Sequence, residues 1–184
     1  MAVVSSPTAD VSVRIAWADD AAAIAELQLR TWQEQYAGLL PPDSLPRDIG
    51  AAAATWQESL RHPQDARNRV LVGLERNRVV GFAITSPGSD PDCDPVSDAE
   101  LMELTVAPDE RGKGHGSRML QAAVETMQAD RFTRAVLWAM ATDDALRTFL
   151  TTAGWAADGA HRGLDFDGTG STVVKQVRLH TAIA

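Results

Sequence analysis

Apolar and polar residues alternate along this chain with two periods, and the switches between them divide it into elements. After a lead of ten residues containing Ser, Ala and Pro (1–10), expected to be flexible, Val11, Val13 and Ile15 alternate with polar neighbours as in a half-buried strand. The spacing then lengthens. Ile24, Leu27 and Leu29 continue toward Trp32 as one helical face behind the capping candidates Asp19 and Asp20, and this helix is expected to end near Gly38, Pro41 and Pro42. A second helix is expected over residues 49–60, before Pro63. "RVLVGLE" and "RVVGFAIT" return to strand composition and meet at "RNR", a hairpin around Asn77.

The second half repeats the strand-to-helix change twice. "AELMELTV" predicts a strand that runs into "APDERGKGHG", after which Met119, Leu120, Ala123, Val124 and Met127 define one face of a helix starting at about Ser117. "RAVLWAM" and "DDALRTFLTTAGW" predict another strand and another helix, the latter closed by Gly154. Two last strands are expected over residues 162–166 and 173–179, joined by the turn "DGTGS". No internal repeat or linker interrupts the series, so a single domain over residues 11–184 is expected.

Composition removes several classes of function. With 45% hydrophobic and 23% charged residues the chain resembles an ordinary globular domain with a full core. A net charge of -8 argues against a nucleic-acid surface, which needs clustered Lys and Arg. No apolar run approaches the ~20 residues of a membrane span. The start lacks the basic and apolar regions of a signal peptide, and Cys93 has no second cysteine to pair with, so the expected location is the cytoplasm. Cys93 has no evident activating group. Asp90, Asp92 and Asp94 alternate in a loop, but the sixth and twelfth positions of a calcium loop would fall on Pro95 and Leu101, which do not fit. None of the histidines has metal-ligand spacing with another ligand, and no metal is expected.

The chemistry concentrates at residues 111–117. Gly112, Gly114 and Gly116 open a helix directly after a strand, which leaves unpaired N–H groups at a positive helix end and removes side chains that would block an anion. Arg111 and Lys113 add charge there. The spacing is not that of a P-loop, because no hydroxyl follows Lys113, and it is a poor dinucleotide fingerprint, because the third glycine comes one residue early. "RGKGHG" does resemble the Arg/Gln-x-x-Gly-x-Gly/Ala motif of the GNAT superfamily of acyl-CoA-dependent N-acetyltransferases, with Arg111, Gly114 and Gly116 in the motif positions. "LTVAPDE", "VLWAMATDDALRTFLTTAGW" and "TWQEQYAGLLP" resemble further segments of that family, and the element order agrees.

The resemblance implies a mixed α/β GNAT fold. Its mostly antiparallel sheet has about seven strands, about four helices flank it, and its fourth and fifth strands run parallel but splay apart. It implies acetyl-CoA as cosubstrate, its pyrophosphate on the main chain of Arg111, Gly112, Lys113, Gly114, His115, Gly116 and Ser117. The pantetheine arm would pair with main-chain groups over Leu104, Thr105 and Val106, with Asp143 as a further contact. It implies a primary amine of a small molecule or peptide as acceptor, with Trp32 and Tyr36 near it, and a possible homodimer.

Attack by an amine requires loss of its proton. Glu100 and Glu103 are the candidate bases; Glu100 matches a position where some relatives keep a catalytic glutamate, and either also fits a solvent-facing or ion-paired role. Simple alternation puts them on opposite faces, while a bulge, frequent at this point in the family, would change that parity. Two departures stand out. Leu150 occupies the position of a tyrosine that protonates the departing thiolate in many relatives, and Asp143 replaces a preferred Asn. They support an alternative reading, a non-catalytic CoA-binding module for sensing or assembly. An acidic loop at residues 89–98, beside the expected pocket, would suit a cationic acceptor such as a polyamine, an aminoglycoside or a basic peptide N-terminus.

Overall fold

The computed structural model describes residues 10–166 and 168–184; the expected N-terminal lead, apart from Asp10, lies outside them, as does Asp167 of the "DGTGS" turn. Strand β1 (Val11–Ile15) leads to helices α1 (Ala21–Gln35) and α2 (Ile49–Arg61). Then come β2 (Arg69–Glu75), β3 (Arg78–Pro87), β4 (Asp98–Val106), α3 (His115–Ala129), β5 (Arg134–Met140), α4 (Asp144–Thr152), β6 (Ala156–Asp165) and β7 (Val173–Ala182). The strands form one sheet in the order β1-β2-β3-β4-β5-β7-β6, in which only β4 and β5 pair in parallel.

Most boundaries follow the local signals. Asp48 caps α2 by accepting from the Ala51 N–H at 3.0 Å, and Arg76 and Asn77, both at positive φ, make the expected β2–β3 hairpin. Asp20 departs from its expected role. Its carboxylate accepts from the Trp17 N–H and from Arg14 and makes no cap bond to α1. β6 begins at Ala156, six residues before its predicted start, because pairing with β7 supplies an order that its Ala- and Gly-rich sequence does not encode.

The sheet has a core on each face. On one, Met119, Ala123 and Met127 of α3 and Leu150 of α4 pack on Leu71, Ala83, Leu101 and Leu137; on the other, Ile24 and Leu27 of α1, with Trp56 and Leu60 of α2, pack on Val72 and Phe82. Two glycines let α3 come close. Gly73 and Gly81 face each other across β2 and β3, and the Met119 side chain sits against both.

The register of β4 contains the feature that positions the site. Ile84 of β3 faces Glu103 while the next residue, Thr85, faces Leu101, so Met102 is an extra residue in β4 without a partner. This bulge shifts the alternation by one. Leu101 and, beyond the bulge, Leu104 and Val106 pack with the α3 core, so Glu100 and Glu103 share the α1 face, contrary to simple parity.

Replacing Gly81 by alanine would place a Cβ 2.6 Å from both the Met119 sulfur and the Thr105 carbonyl oxygen. The methionine can move, but the carbonyl belongs to the paired strand. Gly81→Ala is therefore expected to destabilise the fold by about 1–3 kcal/mol in urea unfolding; an unchanged midpoint would show that β3 and β4 separate freely.

Candidate active site

β4 and β5 pair only over Asp98↔Arg134, Ala99↔Ala135 and Glu100↔Val136. Beyond Glu100 the strands part, and a cavity of about 440 Å³ opens between Leu104, Thr105 and Val106 of β4 and Met140, Asp143 and Phe149 on the other side. The bulge at Met102 lies two residues past the last pair, and bulges bend and twist the strand that carries them. The exposed edge of β4 is also polar. Since the Ala107 N–H donates to Val80 on the β3 side, alternation turns the N–H groups of Leu104 and Val106 toward the gap.

One end of the cavity is the glycine corner. Gly112 and Gly114 have φ of 76° and 84°, a region that side-chain-bearing residues rarely adopt, and Gly114 caps α3. The helix starts at His115, two residues before the expected Ser117, because the left-handed glycine allows the turn to tighten there. Arg111 and Gly116 line the cavity. Arg111 donates to Glu34 of α1 at 3.1 Å and to the Val106 carbonyl at 3.3 Å. Lys113 instead donates to Glu110 at 2.7 Å, and Arg78 pairs with the other oxygen of the same carboxylate. His115 is buried, its Nε2 3.6 Å from Glu75 and 3.9 Å from Glu110. Lys113 and His115 thus stabilise the underside of the corner, and Ser117 faces a separate groove with Leu120 and Phe149.

Behind Thr105 of the cavity wall lies Glu103. It accepts hydrogen bonds from Gln28 at 2.8 Å, Thr105 at 3.1 Å and Trp32 at 3.3 Å. Trp56 donates to Gln28 Oε1 at 3.0 Å, which fixes the amide with its N–H₂ toward Glu103. Burial pushes the Glu103 carboxyl above the ordinary glutamate value despite the opposing effect of these donors. Thr105 joins it to the cavity wall. Glu100 is buried beside the loop that precedes β4, accepting from Ser89 at 2.9 Å.

The sequence pattern did not single out Gln28, Thr31 or Trp56. Gln28 carried a usable signal, a polar residue on the otherwise apolar face of α1 beside Ile24 and Leu27. Tyr36 ends α1 half-buried, edge-on to Phe166 at 5.5 Å, with its hydroxyl pKa raised by burial and by the charge of Glu103. It packs with Leu40, Met140 and Val174. Asp143 caps α4, accepting from the Leu146 N–H at 2.9 Å, and Leu150 is wholly buried in the core.

The acidic loop is not a free negative surface. Arg178, buried on β7, donates to Asp92 at 2.5 and 2.7 Å, to Asp158 at 2.7 Å and to Asp90 at 3.1 Å, while Trp138 donates to Asp90 at 2.9 Å. Asp98 pairs with Arg134, and Asp94 accepts from Val96 and Ser97 in its own turn. The hydrogen bonds from Arg178 hold Asp92 at a pKa of about 2. The attraction for cationic acceptors expected of this loop is therefore largely cancelled within the protein. Cys93 is pushed up by burial, away from thiolate reactivity. Two groups, Glu75, Glu110 and His115, and Asp90, Asp92 and Cys93, are close enough to share a metal ion. Each already holds a cation of the protein, Lys113 with Arg78 in the first and Arg178 in the second.

Residues 22–155 match the Acetyltransferase (GNAT) family. The chain belongs to the GNAT acetyltransferase family. Solved structures with the same fold include the yncA protein of Salmonella typhimurium with its cofactor acetyl-CoA, at 18% identity over 95% of both chains and a TM-score of 0.71. The PaiA N-acetyltransferase of Thermoplasma acidophilum in complex with coenzyme A is 16% identical over 94% of this chain and 98% of its own, with a TM-score of 0.69. A ribosomal-protein-alanine N-acetyltransferase from Brucella melitensis is 18% identical over 93% and 99%, with a TM-score of 0.71. A search of curated proteins found no match. These GNAT structures share the splayed sheet of this chain at identities that leave its acceptor open.

Hydrogen bonding from Lys113, then from Arg78, depresses Glu110 to about 2. Its folded pKa is below that of the unfolded chain, so its contribution is present above the unfolded value of ~4.3 and lost as pH falls toward 2. Glu110→Gln is expected to lower the melting temperature at pH 7 and to flatten its decline between about pH 4.5 and 2; parallel melting curves for the two proteins would exclude this linkage.

Proposed function

We propose that this GNAT domain, spanning residues 11–184, transfers an acetyl group from acetyl-CoA to a primary amine of a small molecule or peptide by direct attack. The observation that carries the reading is a cavity between parted parallel strands, with a glycine-capped helix N-terminus at one end and a buried, pKa-raised carboxylate behind Thr105 of its wall. The open β4 edge offers main-chain donors, and the corner offers Arg111 and the start of α3. A long ligand with an anionic end and amide groups fits such a donor set.

Acetyl-CoA supplies a thioester carbonyl that an amine can attack. Glu103 takes the proton of the attacking amine, directly or through one water, as the nitrogen–carbon bond forms and the carbon–sulfur bond breaks. The N–H of Leu104 or Val106 stabilises the charge that develops on the carbonyl oxygen. Leu150 has no proton to give. A thiol pKa of ~8.5 makes the thiolate a fair leaving group, and the proton held on Glu103 can return to it through water. Glu100, enclosed with Ser89 away from the cavity, serves better as support for the loop after β3. Trp32 orients Glu103, and Tyr36, with Met140 and Leu40, forms an apolar wall for the acceptor.

Turnover of acetyl-CoA over a panel of primary amines tests the reading. Glu103→Gln is expected to lower kcat by about 10²–10⁴-fold while acetyl-CoA binding stays within a factor of a few. In the wild type, kcat/KM should rise with pH through the raised Glu103 pKa, because the base acts only when ionised, and this limb should vanish in the variant. Acetyl-CoA binding without product from any amine would favour the non-catalytic alternative.

A further inference from the structure

The α1 face toward β4 carries polar groups that are almost all engaged. Gln28 and Trp32 hold Glu103, and Glu34 holds Arg111. Thr31 is the exception. It is only 5% exposed, and its Oγ1 is the one fully buried side-chain polar atom among the described residues without a hydrogen-bond partner. It lines the cavity beside Leu104, Thr105 and Val106.

The protein provides its own control for this hydroxyl. Helical Thr55, Thr126 and Thr151 each donate to the carbonyl four residues back, at 3.1, 2.7 and 2.8 Å, and Thr148 and Thr152, which do not, are exposed to solvent. The same bond to Leu27 is open to Thr31 in principle, yet its hydroxyl does not make it. Buried hydroxyls without partners are rare and unfavourable, and because Thr31 lines the cavity, a change of its χ1 rotamer turns this hydroxyl toward a ligand there.

Its position narrows the choice of partner. Thr31 lies three residues, just under one helical turn, after Gln28, which holds Glu103, and the same distance before Glu34, which meets Arg111. It faces the stretch between the proposed base and the anion-binding corner. We propose that Thr31 is a donor-contacting residue whose hydroxyl gives a hydrogen bond to a carbonyl oxygen of the acylated pantetheine arm. This rests on the assignment of the cavity to acetyl-CoA. Both available acceptors, the thioester carbonyl and the amide carbonyls of the arm, have the same hydrogen-bond chemistry.

The test is calorimetric titration of the whole protein with acetyl-CoA and with CoA, in the wild type, Thr31→Val and Thr31→Ser. Valine matches threonine in shape and in helix propensity, so without ligand Thr31→Val should melt at or slightly above the wild-type temperature. Its acetyl-CoA affinity should fall on the order of tenfold, as for one lost hydrogen bond, and serine should restore most of it. A loss shared by both ligands puts the contact on an arm amide; a loss confined to acetyl-CoA puts it on the acyl carbonyl. Equal affinity in wild type and Thr31→Val, or a lower melting temperature of the free variant, overturns the role of Thr31 alone. Failure of the wild type to bind either ligand overturns the cavity assignment with it.

Discussion

One extra residue in a strand organises this molecule. Met102 has no partner on β3, and the strand that carries it must both rotate its side chains and bend. Rotation brings Glu103 to the same face as Glu100 and under α1, where Gln28, Trp32 and Thr105 can reach it. Bending accompanies the end of the β4–β5 ladder at Glu100 and Val136, so the strands part and leave main-chain donors facing an open cavity. A regular strand in this position would seal the gap with hydrogen bonds and turn Glu103 into the apolar core, which a charged carboxylate cannot enter unpaired.

The acidic residues show how environment assigns different work to the same chemical group. Glu110 and Glu103 are seven positions apart. Glu110 meets Lys113 and Arg78 and is held ionised, which fixes the corner. Glu103 meets only neutral donors in a partly dry site, and its pKa moves the other way. Asp92 repeats the first case against Arg178. Formal charge alone would count all three as equal contributions to an acidic surface, whereas two are structural ion pairs and the third is a buried carboxylate held by neutral donors.

The cavity wall combines two kinds of residue. The β4 edge and the glycine corner present main-chain groups, while the side chains of Leu104 and Val106 pack on the core and the absence of one at Gly116 leaves clearance. α1 contributes side chains: Gln28 and Trp32 bond Glu103, while Thr31 and Glu34, at helical spacing from them, line the cavity. The proposed base and the proposed donor contact therefore depend on how α1 docks over β4. Its apolar residues Ile24 and Leu27 set that docking by packing on Val72 and Phe82.

Local patterns determined a large part of this structure from sequence alone. Period and punctuation located the strands and helices, because burial of one face imposes alternation in a strand and a 3.6-residue repeat in a helix. The glycine corner was equally legible, since positive φ at Gly112 and Gly114 is a local demand on residue type. The early start of β6 was not, because its order comes from pairing with β7. Nor could alternation choose between Glu100 and Glu103. The bulge is a mismatch between two strands, and β4 by itself does not record which residue lacks a partner. Tertiary structure also decided that Lys113 and the acidic loop are neutralised inside the protein, that Gln28 meets Glu103, and that Thr31 lines the cavity. Hydrogen bonds and ion pairs between residues as far apart as Gln28 and Glu103, or Asp92 and Arg178, exist only once the chain is folded, and there the site's chemistry was settled.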